Sequence, residues 1–303
     1  MKRFMLGVAA LAVMSACSGG NPFVAGDGDG DGTTPPGVTI PEAVAGDMEA
    51  FVYDPASNTL TISGVTLDDT PFTAVYDRRP ALDRPGYRAY SAQDGSLGRH
   101  TTAYVQEIDG VAGAVAMSGG QFGHHFGGAS YGRDGDFDPP DTTVAGGLVH
   151  YAGNYIGMLN VAGDGGDLLP VDPGTPPEVR PRQATEVTGS IFITADFADM
   201  SVDGVVYDRL ARDAGLAFED LEIAPGEIAE DGSFSGDVTQ DNGASDRGDY
   251  GGIFGGRDAS AVAGALFVEG HVTGVDNIEE HGLFVLGQCG TPGADPVCTQ
   301  PHP

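Results

Sequence analysis

The stretch GDYGGIFGGRDASAVAGALFVEGH, residues 248–271, decides the fold class that this 303-residue chain predicts. Glycine and alanine fill about half of it, and three aromatic residues, Tyr250, Phe254 and Phe267, are spaced through it. Glycine inside a strand usually marks a tight bend or a close approach of a neighbouring backbone. The stretch has no nucleophile elbow, no phosphate-binding loop and no metal-ligand spacing, so it indicates architecture rather than chemistry.

Outward from this stretch, the chain consists of short strand candidates separated by turns. Residues 48–67 show the alternation of a β-hairpin, and the Asp-Gly pairs at 94–95 and 109–110 mark later turns. The 49 glycines lower helix propensity throughout. The segment nearest to an amphipathic helix, residues 210–221, would give two turns at most. The other strand candidates in this half are residues 72–76, 87–92, 101–108 and 111–117.

A second block of strand candidates begins at Asp141. Residues 142–161 predict a strand, a glycine bend and another strand, and the Pro- and Gly-rich residues 163–183 form a long loop or a linker. Further strands flank the Asp-Gly turns at 203–204 and 231–232, and residues 280–289 end the sheet. The whole pattern is typical of an all-β protein.

Two segments of the chain echo each other. FGG at residues 126–128 precedes VAGGLV at 144–149, and FGG at 254–256 precedes VAGALF at 262–267. The echo indicates either a duplicated supersecondary unit or two strand pairs that meet the same packing requirement.

Three pieces of the second block carry a family likeness. YAGNYIGMLN (151–160), VTGSIFITADFADMSVDGVV (187–206) and GDYGGIFGGRDASAVAGALF (248–267) occur in the order of one lipidated β-barrel module. The chain here resembles the transferrin-binding protein B group, to which the factor H-binding lipoproteins also belong. The likeness covers residues 141–288. It departs from the family pattern at the turn GGRDAS, where the family often has Gly-Pro.

The resemblance implies a small antiparallel β-barrel of about eight strands in the C-terminal half, preceded by an antiparallel β region. In such a barrel, alternate residues point inward, and glycines relieve crowding where strands bend. Aromatic side chains beside the glycines cover the exposed backbone. Closure also removes the sheet edges through which exported β proteins aggregate.

The N-terminus predicts export and lipidation. In MKRFMLGVAALAVMSAC, a basic start precedes an apolar run that is short for a membrane span. Met14-Ser15-Ala16-Cys17 resembles the bacterial lipobox, which predicts that Cys17 is diacylated and becomes the mature N-terminus. A plain secretory signal is the alternative. Ser18, in place of the aspartate that retains lipoproteins in the inner membrane, favours an outer-membrane or cell-surface location.

The segment behind Cys17 is rich in glycine, proline and aspartate. Its run Asp27-Gly28-Asp29-Gly30-Asp31-Gly32 matches the first half of a calcium loop, but position twelve is Val38 rather than glutamate. A solvated acidic spacer is the alternative to a calcium site, and we expect a flexible tether.

These features divide the chain into five parts. They are a signal peptide (1–16), the lipidated cysteine and tether (17–46), an N-terminal β region (47–140), the barrel (141–290) and a tail closed by a disulfide (291–303). We expect the disulfide between Cys289 and Cys298, because exported chains meet oxidising conditions and two cysteines remain after lipidation. Two free thiols are the alternative.

Charge limits the classes of partner. The chain has 44 acidic residues against 14 lysines and arginines, a formal net charge of −30. We therefore expect no binding to nucleic acid or to the face of an anionic membrane, and membrane contact only through the N-terminal lipid. Four arginines, Arg78, Arg79, Arg84 and Arg88, gather in one segment. They indicate either an anion or partner contact or local charge balance with neighbouring aspartates.

Catalytic and metal signatures are weak. His124 and His125 are adjacent and would point to opposite faces of a strand, which disfavours one shared metal. His150 and His271 read as strand-end residues. The lack of tryptophan makes a sugar-cleaving cleft unexpected. We expect no enzyme activity and no cofactor.

Two functions of different classes remain. The first is a lipid-anchored, non-catalytic binding module for an unidentified protein or small solute, which would use loops such as residues 77–88, 130–141 and 163–183. Removal of residues 164–182 is then expected to spare the fold. The second is a structural envelope lipoprotein without a soluble ligand, and a secreted hydrolase comes third. Exposed apolar and arginine residues at one rim would favour binding, and a uniformly acidic rim would favour the structural role.

Overall fold

The structure is a computed structural model that describes residues 39–65 and 71–303. Cys17, its lipobox and the acidic run at Asp27 therefore lie outside the described residues. Within them, nearly all regular structure is antiparallel β-sheet, arranged as one seven-stranded sheet and one closed barrel. The all-β fold class is confirmed. No helix among these residues is long and apolar enough to cross a membrane.

The N-terminal sheet is a meander whose seven strands lie in chain order. A short helix, α1 (Glu42–Ala45), precedes it, and its Val44 is buried although sequence analysis assigns this segment to the tether. Residues 48–65 form the hairpin that the sequence predicts, with the Asp54 turn between its strands. The strands are β1 (Met48–Asp54), β2 (Thr59–Val65), β3 (Pro71–Arg78), β4 (Arg88–Ala92), β5 (Thr101–Ile108), β6 (Val111–Ser118) and β7 (Gly127–Arg133).

The second sheet closes on itself. Its order is β11-β10-β12-β13-β14-β15-β16-β8-β9, and β9 also pairs with β10, which closes eight strands into a barrel with β11 as a short appendage. Helix α2 (Thr142–Ala145) precedes it. The strands are β8 (Leu148–Ala162), β9 (Ala184–Asp196), β10 (Ser201–Ala211), β11 (Leu216–Ala217), β12 (Leu221–Glu227), β13 (Ser233–Gln240), β14 (Ser245–Gly255), β15 (Ala261–Glu269) and β16 (Glu279–Gly287).

Glycines in β14 and β15 make room for aromatic rings inside the barrel. Gly252 lies opposite Gly264 in the ladder between these strands. A Cβ at Gly252 would overlap the ring of Phe234, and a Cβ at Gly264 would overlap the ring of Phe284. Both rings belong to the buried core of the barrel. The smooth stretch at residues 248–271 thus lets aromatic side chains pack directly on the neighbouring backbone.

The alanines of the same stretch face the other way. Ala261, Ala263 and Ala265 alternate with inward-facing residues of β15 and pack against the N-terminal sheet. Val115 and Met117 of β6 belong to the same buried cluster. Small side chains let the sheet approach the outer wall of the barrel closely, so β15 is buried on both faces. The two halves of the chain share this core.

Three details differ from the sequence analysis. Residues 148–162 form one continuous strand rather than two, because β8 pairs with β9 along nearly its whole length. Residues 210–221 contain no helix; they form the end of β10, a turn and β11. The two FGG segments are not equivalent, because the first leads into β7 and the second ends β14. The different settings favour two separate packing solutions over a duplicated unit.

Candidate functional site

The N-terminal sheet has an opening between β3 and β4. β3 pairs with β2 from Pro71 to Tyr76, but it pairs with β4 only at Asp77 and Arg78. Over residues 71–76, β3 therefore has β2 on one side and, among the described residues, no strand on the other. The opening leads toward the buried aromatic core that lines this side of the sheet.

The opening holds a cleft of about 910 Å³, which we call the apolar cleft. Phe72 and Phe126 form an edge-to-face pair in its wall, with 5.3 Å between ring centroids. Such a pair combines apolar surface with a defined shape. Side chains of β3, of β4 and of the turn after β6 complete the lining; among them are Ala74, Tyr76, Ala92 and Phe122.

Exposed apolar side chains surround the apolar cleft. Val75 and Phe122 line it and are each 67% exposed. Leu97 is 51% exposed, and its carbonyl accepts a hydrogen bond of 3.0 Å from the side chain of Gln121, another lining residue. Single exposed apolar residues are ordinary, but several around one concave opening are typical of an interaction site.

Phe122 has an unusual backbone. It occupies the first place of a two-residue turn, in which Gln121 and His124 exchange backbone hydrogen bonds of 2.8 and 3.0 Å. Its φ is +54°, and that of Gly123 is +78°. A two-residue turn with both angles positive favours Asn-Gly, and a bulky residue there is strained. The turn therefore presents an aromatic ring to solvent at a conformational cost.

Positive charge lies beside the apolar surface. Arg99 lines the apolar cleft and forms no ion pair with any residue of 39–65 or 71–303. An adjoining pocket of about 560 Å³, the polar pocket, shares Gln121, Phe122 and His124 with the cleft. It holds two arginines beside two glutamates: Arg180, Arg182, Glu178 and Glu279. In a chain with a net charge of −30, this rim is not uniformly acidic.

The arginine-rich segment at residues 77–88 lies elsewhere and is used internally. Arg78 donates two hydrogen bonds of 2.6 Å to Asp83. Arg84 donates to Glu186 of the barrel at 2.5 Å, and the Tyr87 hydroxyl donates to the carbonyl of Asn154 at 2.8 Å. Burial raises the pKa of Glu186, although the hydrogen bonds from Tyr104 and Arg84 oppose that change. The segment therefore joins the N-terminal sheet to the barrel, in agreement with the charge-balance interpretation.

Residues 130–141, the second predicted binding loop, also make internal contacts. Residues up to Arg133 belong to β7, and the Arg133 guanidinium donates to the carbonyls of Asp231 and Phe254 at 2.6 and 2.9 Å. The carbonyl of Asp138 accepts a hydrogen bond of 2.8 Å from the amide of Ala259. This connection covers one end of the barrel.

The third predicted binding loop, residues 163–183, is anchored on the N-terminal sheet by Asp167. Its carboxylate accepts hydrogen bonds from the Ser91 hydroxyl at 2.6 Å and the Arg79 guanidinium at 3.3 Å, and lies 3.0 Å from His100 Nε2. Burial lowers the pKa of His100, and Asp167 partly opposes this. The loop is thus a packed crossing between the two halves of the molecule.

The Ser91, His100 and Asp167 group is not arranged for nucleophilic catalysis. In a serine nucleophile, the hydroxyl donates to the histidine and the carboxylate orients that histidine. Here the serine hydroxyl and the histidine both meet the same Oδ2 atom of Asp167. The carboxylate lies in the middle, so the histidine is not placed to take the serine proton.

A fully buried charged cluster lies inside the barrel. The Arg209 guanidinium donates to Glu280 at 2.7 Å, and the Tyr155 hydroxyl donates to the other carboxylate oxygen at 2.6 Å. His271 Nε2 lies 3.1 Å from the same carboxylate. Burial raises the pKa of Glu280, but the charge of Arg209 and the hydrogen bonds outweigh it and lower that pKa to about 2. This cluster holds strands of opposite barrel walls together and is sealed from solvent.

The remaining predicted site residues are dispersed. His124 and His125 lie in and after the β6–β7 turn rather than on a strand, and His125 Nε2 is 2.8 Å from Glu279. Within residues 39–65 and 71–303, no group of three or more histidine, cysteine, aspartate or glutamate side chains could hold a metal ion. Cys289 and Cys298 form a disulfide, which ties the tail to the outer wall of the barrel near Ala152.

The sequence alone does not predict the apolar cleft. Its walls come from β3, β4 and the β6–β7 turn, which are distant in the chain, and the divergence of β3 from β4 leaves no local signal. One signal was present: Phe122 precedes a glycine within GGQFGHHFGG, where a turn is expected and an aromatic residue has no core to enter.

Comparison with known proteins gives matches only among solved structures. No family model matches the chain, and no curated protein matches it. A transferrin-binding protein B double mutant from Haemophilus parasuis Hp5 matches with a TM-score of 0.40 and 10% identity, covering 79% of this chain and 53% of that one. The intact Ap-TbpB, with N and C lobes, matches with a TM-score of 0.39 and 10% identity, covering 80% and 55%.

A third match is the isotype 1 transferrin-binding protein B of serogroup B Neisseria meningitidis. Its TM-score is 0.33 at 11% identity, and the match covers 79% of this chain and 51% of that structure. This chain thus spans about half the length of the structures it matches. These structures carry the name of the group that the sequence resembles.

Proposed function

We propose that this chain is a non-catalytic binding module, carried by a lipid-anchored lipoprotein of the outer membrane or cell surface, and that the apolar cleft is its contact site for a protein or solute. The observation that carries this proposal is the pair of exposed apolar side chains that line the cleft, Val75 and Phe122. An exported protein gains nothing in stability from exposing them, and Phe122 also bears a strained backbone.

The rim chemistry separates this function from a purely structural role. A structural envelope lipoprotein without a ligand is expected to have an acidic, solvated rim in a chain with this charge. Instead, Arg99 adjoins the apolar surface, and Arg180 and Arg182 lie in the neighbouring polar pocket. Aromatic and arginine side chains are the residues that most often dominate binding energy at interfaces.

The non-catalytic part of the proposal has support from the arrangement of polar groups. Ser91 and His100 anchor the loop of Asp167 on the N-terminal sheet, and the Glu280 cluster is buried inside the barrel. The lipid anchor and the location rest on the succession of basic, apolar and small residues before Cys17. Two acyl chains would anchor the protein stably, since one chain alone gives marginal binding.

The experiment compares capture by three forms of the full chain immobilised in detergent. Extracellular fluid in which the source cells grow is passed over the wild type, Phe122→Ser and Leu216→Ser. Leu216 is the matched control, because it is 50% exposed on β11 and does not line the cleft. A ligand retained by the wild type and the Leu216 variant, but lost from the Phe122 variant, supports the proposal. Equal retention by all three contradicts it.

A further inference from the structure

The open side of β3 presents backbone groups as well as side chains. The amide of Arg79 donates to the carbonyl of Ala89 on β4 at 2.8 Å. Along an antiparallel strand, every second residue directs its N–H and C=O to the same side. Val75 and Thr73 therefore direct their backbone groups to the side of β4, where residues 71–76 have no described partner strand.

The opposite ladder gives the same assignment independently. The amide of Val65 on β2 donates to the carbonyl of Asp47, away from β3. Its neighbour Gly64 therefore faces β3, where it pairs with Phe72. Phe72 and Ala74 thus use their backbone groups on β2, and their side chains turn into the apolar cleft.

Within residues 39–65 and 71–303, this edge lacks the usual protection. Native sheets shield edge strands with charged side chains, prolines, bulges or a covering segment. Residues 71–76 read PFTAVY and carry no charge. The one proline, Pro71, stands at the start of β3, before the two residues whose amides face the opening. Val75 is largely exposed, so solvent reaches the edge.

We propose that the apolar cleft binds an extended polypeptide segment, which adds to the free edge of β3 as an antiparallel strand and places apolar side chains at alternate positions into the cleft. This inference rests on the proposed function and names the class of ligand. Strand addition uses main-chain hydrogen bonds for affinity and alternate side chains for specificity. Six residues of β3 offer about 20 Å of edge at roughly 3.3 Å per residue.

Two other occupants fit less well. A small apolar solute would fill the cleft and displace water from the amides of Thr73 and Val75 without pairing them. A second copy of this chain would bring together two molecules that each carry a formal net charge of −30. An extended polypeptide satisfies both the backbone groups and the cleft.

The test uses a fluorescent peptide of sequence TVTFTVT, capped at both ends, and the full chain in detergent. When the valines and the phenylalanine of the peptide enter the cleft, its threonines face outward. Threonines 3 and 5 then lie opposite Thr73 and Val75 and direct their amides to β3. N-methylation at positions 3 and 5 is expected to weaken binding about tenfold, the effect of two lost hydrogen bonds. N-methylation at positions 2 and 4 is the matched control and should leave affinity within about twofold.

A pair of protein variants tests the same edge. Val75→Pro removes the amide donor and should bind about threefold more weakly than Val75→Ala, which keeps the donor while shortening the same side chain. Circular dichroism and thermal unfolding check that both variants fold. If Val75→Pro does not fold, the two methylated peptides still decide the question.

Several results would overturn the inference. They are no binding of the parent peptide, equal binding of both methylated peptides, or a sedimentation-detected dimer that Val75→Pro abolishes. If the parent peptide does not bind but capture of a ligand still depends on Phe122, strand addition is wrong and the proposed function is still supported. If the peptide binds but ligand capture does not depend on Phe122, the proposed function is wrong instead.

Discussion

Phe122 has a strained backbone that lowers the stability of the fold, and its ring is exposed for contact with a partner. The ring lies in solvent at the tip of a turn whose backbone favours asparagine and glycine. For a residue other than glycine, asparagine or aspartate, the left-handed conformation costs roughly 1–2 kcal/mol. A residue kept in such a place is a reason to look for a function there.

We therefore predict that Phe122→Asn stabilises the protein. The free energy of unfolding should rise by about 1 kcal/mol because asparagine accepts the left-handed conformation. Urea denaturation followed by circular dichroism measures the change, and ligand capture should fall at the same time. A destabilised Phe122→Asn variant would show that the ring makes packing contacts that support the fold.

Glu280 is the residue on which acid stability should depend. Its pKa in the folded protein is about 2, below the ordinary value of 4.5, because Arg209 and the hydrogen bonds outweigh burial. A lowered carboxyl pKa adds stability above pH 4.5, and that stability is lost as the pH falls from about 4.5 toward 2.

Glu280→Gln should lower the free energy of unfolding by about 3–5 kcal/mol at pH 7, because it leaves the buried Arg209 charge without its partner. The variant should also lose less stability than the wild type between pH 4.5 and pH 2. Glu279→Gln is the matched control, since its pair with His125 is partly exposed and such pairs contribute about 0–1 kcal/mol. Equal pH profiles for wild type and Glu280→Gln would contradict this account.

At the level of elements, sequence patterns located strands well where turn chemistry was clear. β5 begins and ends where the alternation and the Asp109-Gly110 turn place it. The glycines of β8 predict a bend that would divide it into two strands. In the structure, Gly157 instead leaves room for the Glu280 carboxylate to lie against the strand. That requirement is tertiary and has no local signature.

The loops show the same division. The sequence offers residues 77–88 and 163–183 as candidate binding loops, with local charge balance as the alternative for the arginines of the first. In the structure, their charged residues pair across the joint between sheet and barrel. The candidate site instead depends on the divergence of two strands, which a pattern of single residues does not encode.

The anchoring of residues 163–183 leads to a prediction for Asp167. Asp167→Asn should lower the free energy of unfolding by about 1–3 kcal/mol, because it removes a charged acceptor from Ser91, Arg79 and His100. Thermal and urea unfolding measure the loss, with Asp172→Asn, an exposed residue of the same loop, as the control. Removal of residues 164–182 is then expected to destabilise the fold, unlike the expectation from sequence. An unchanged Asp167→Asn variant would restore that first expectation.

At the scale of the whole molecule, the described residues combine an N-terminal sheet and a barrel. The sheet and the barrel share a buried core formed by small residues of β15 and apolar residues of β6. Packing on the barrel therefore stabilises the sheet that contains the cleft. Loops and openings held by a rigid scaffold are where binding residues usually lie. The apolar cleft lies in the N-terminal sheet, outside the closed barrel.

The anchor of this assembly is expected at Cys17. Cys17→Ala should release the protein from membranes or leave it uncleaved with its signal attached, because neither acyl chain can then be added. Fractionation followed by mass spectrometry of the N-terminus measures both outcomes. An unmodified wild-type N-terminus at another residue would contradict the lipoprotein assignment.

Photo-cross-linking from the cleft shows whether a partner occupies it. Benzoylphenylalanine replaces Phe122 in one full-length variant and Leu216, the exposed control on β11, in another, and intact cells are irradiated in their growth medium. We expect a discrete cross-linked product from position 122 that is absent from position 216, and mass spectrometry of that product identifies the partner. Cross-linking that is absent from position 122, or equal at both positions, would contradict the assignment of the apolar cleft as the binding site.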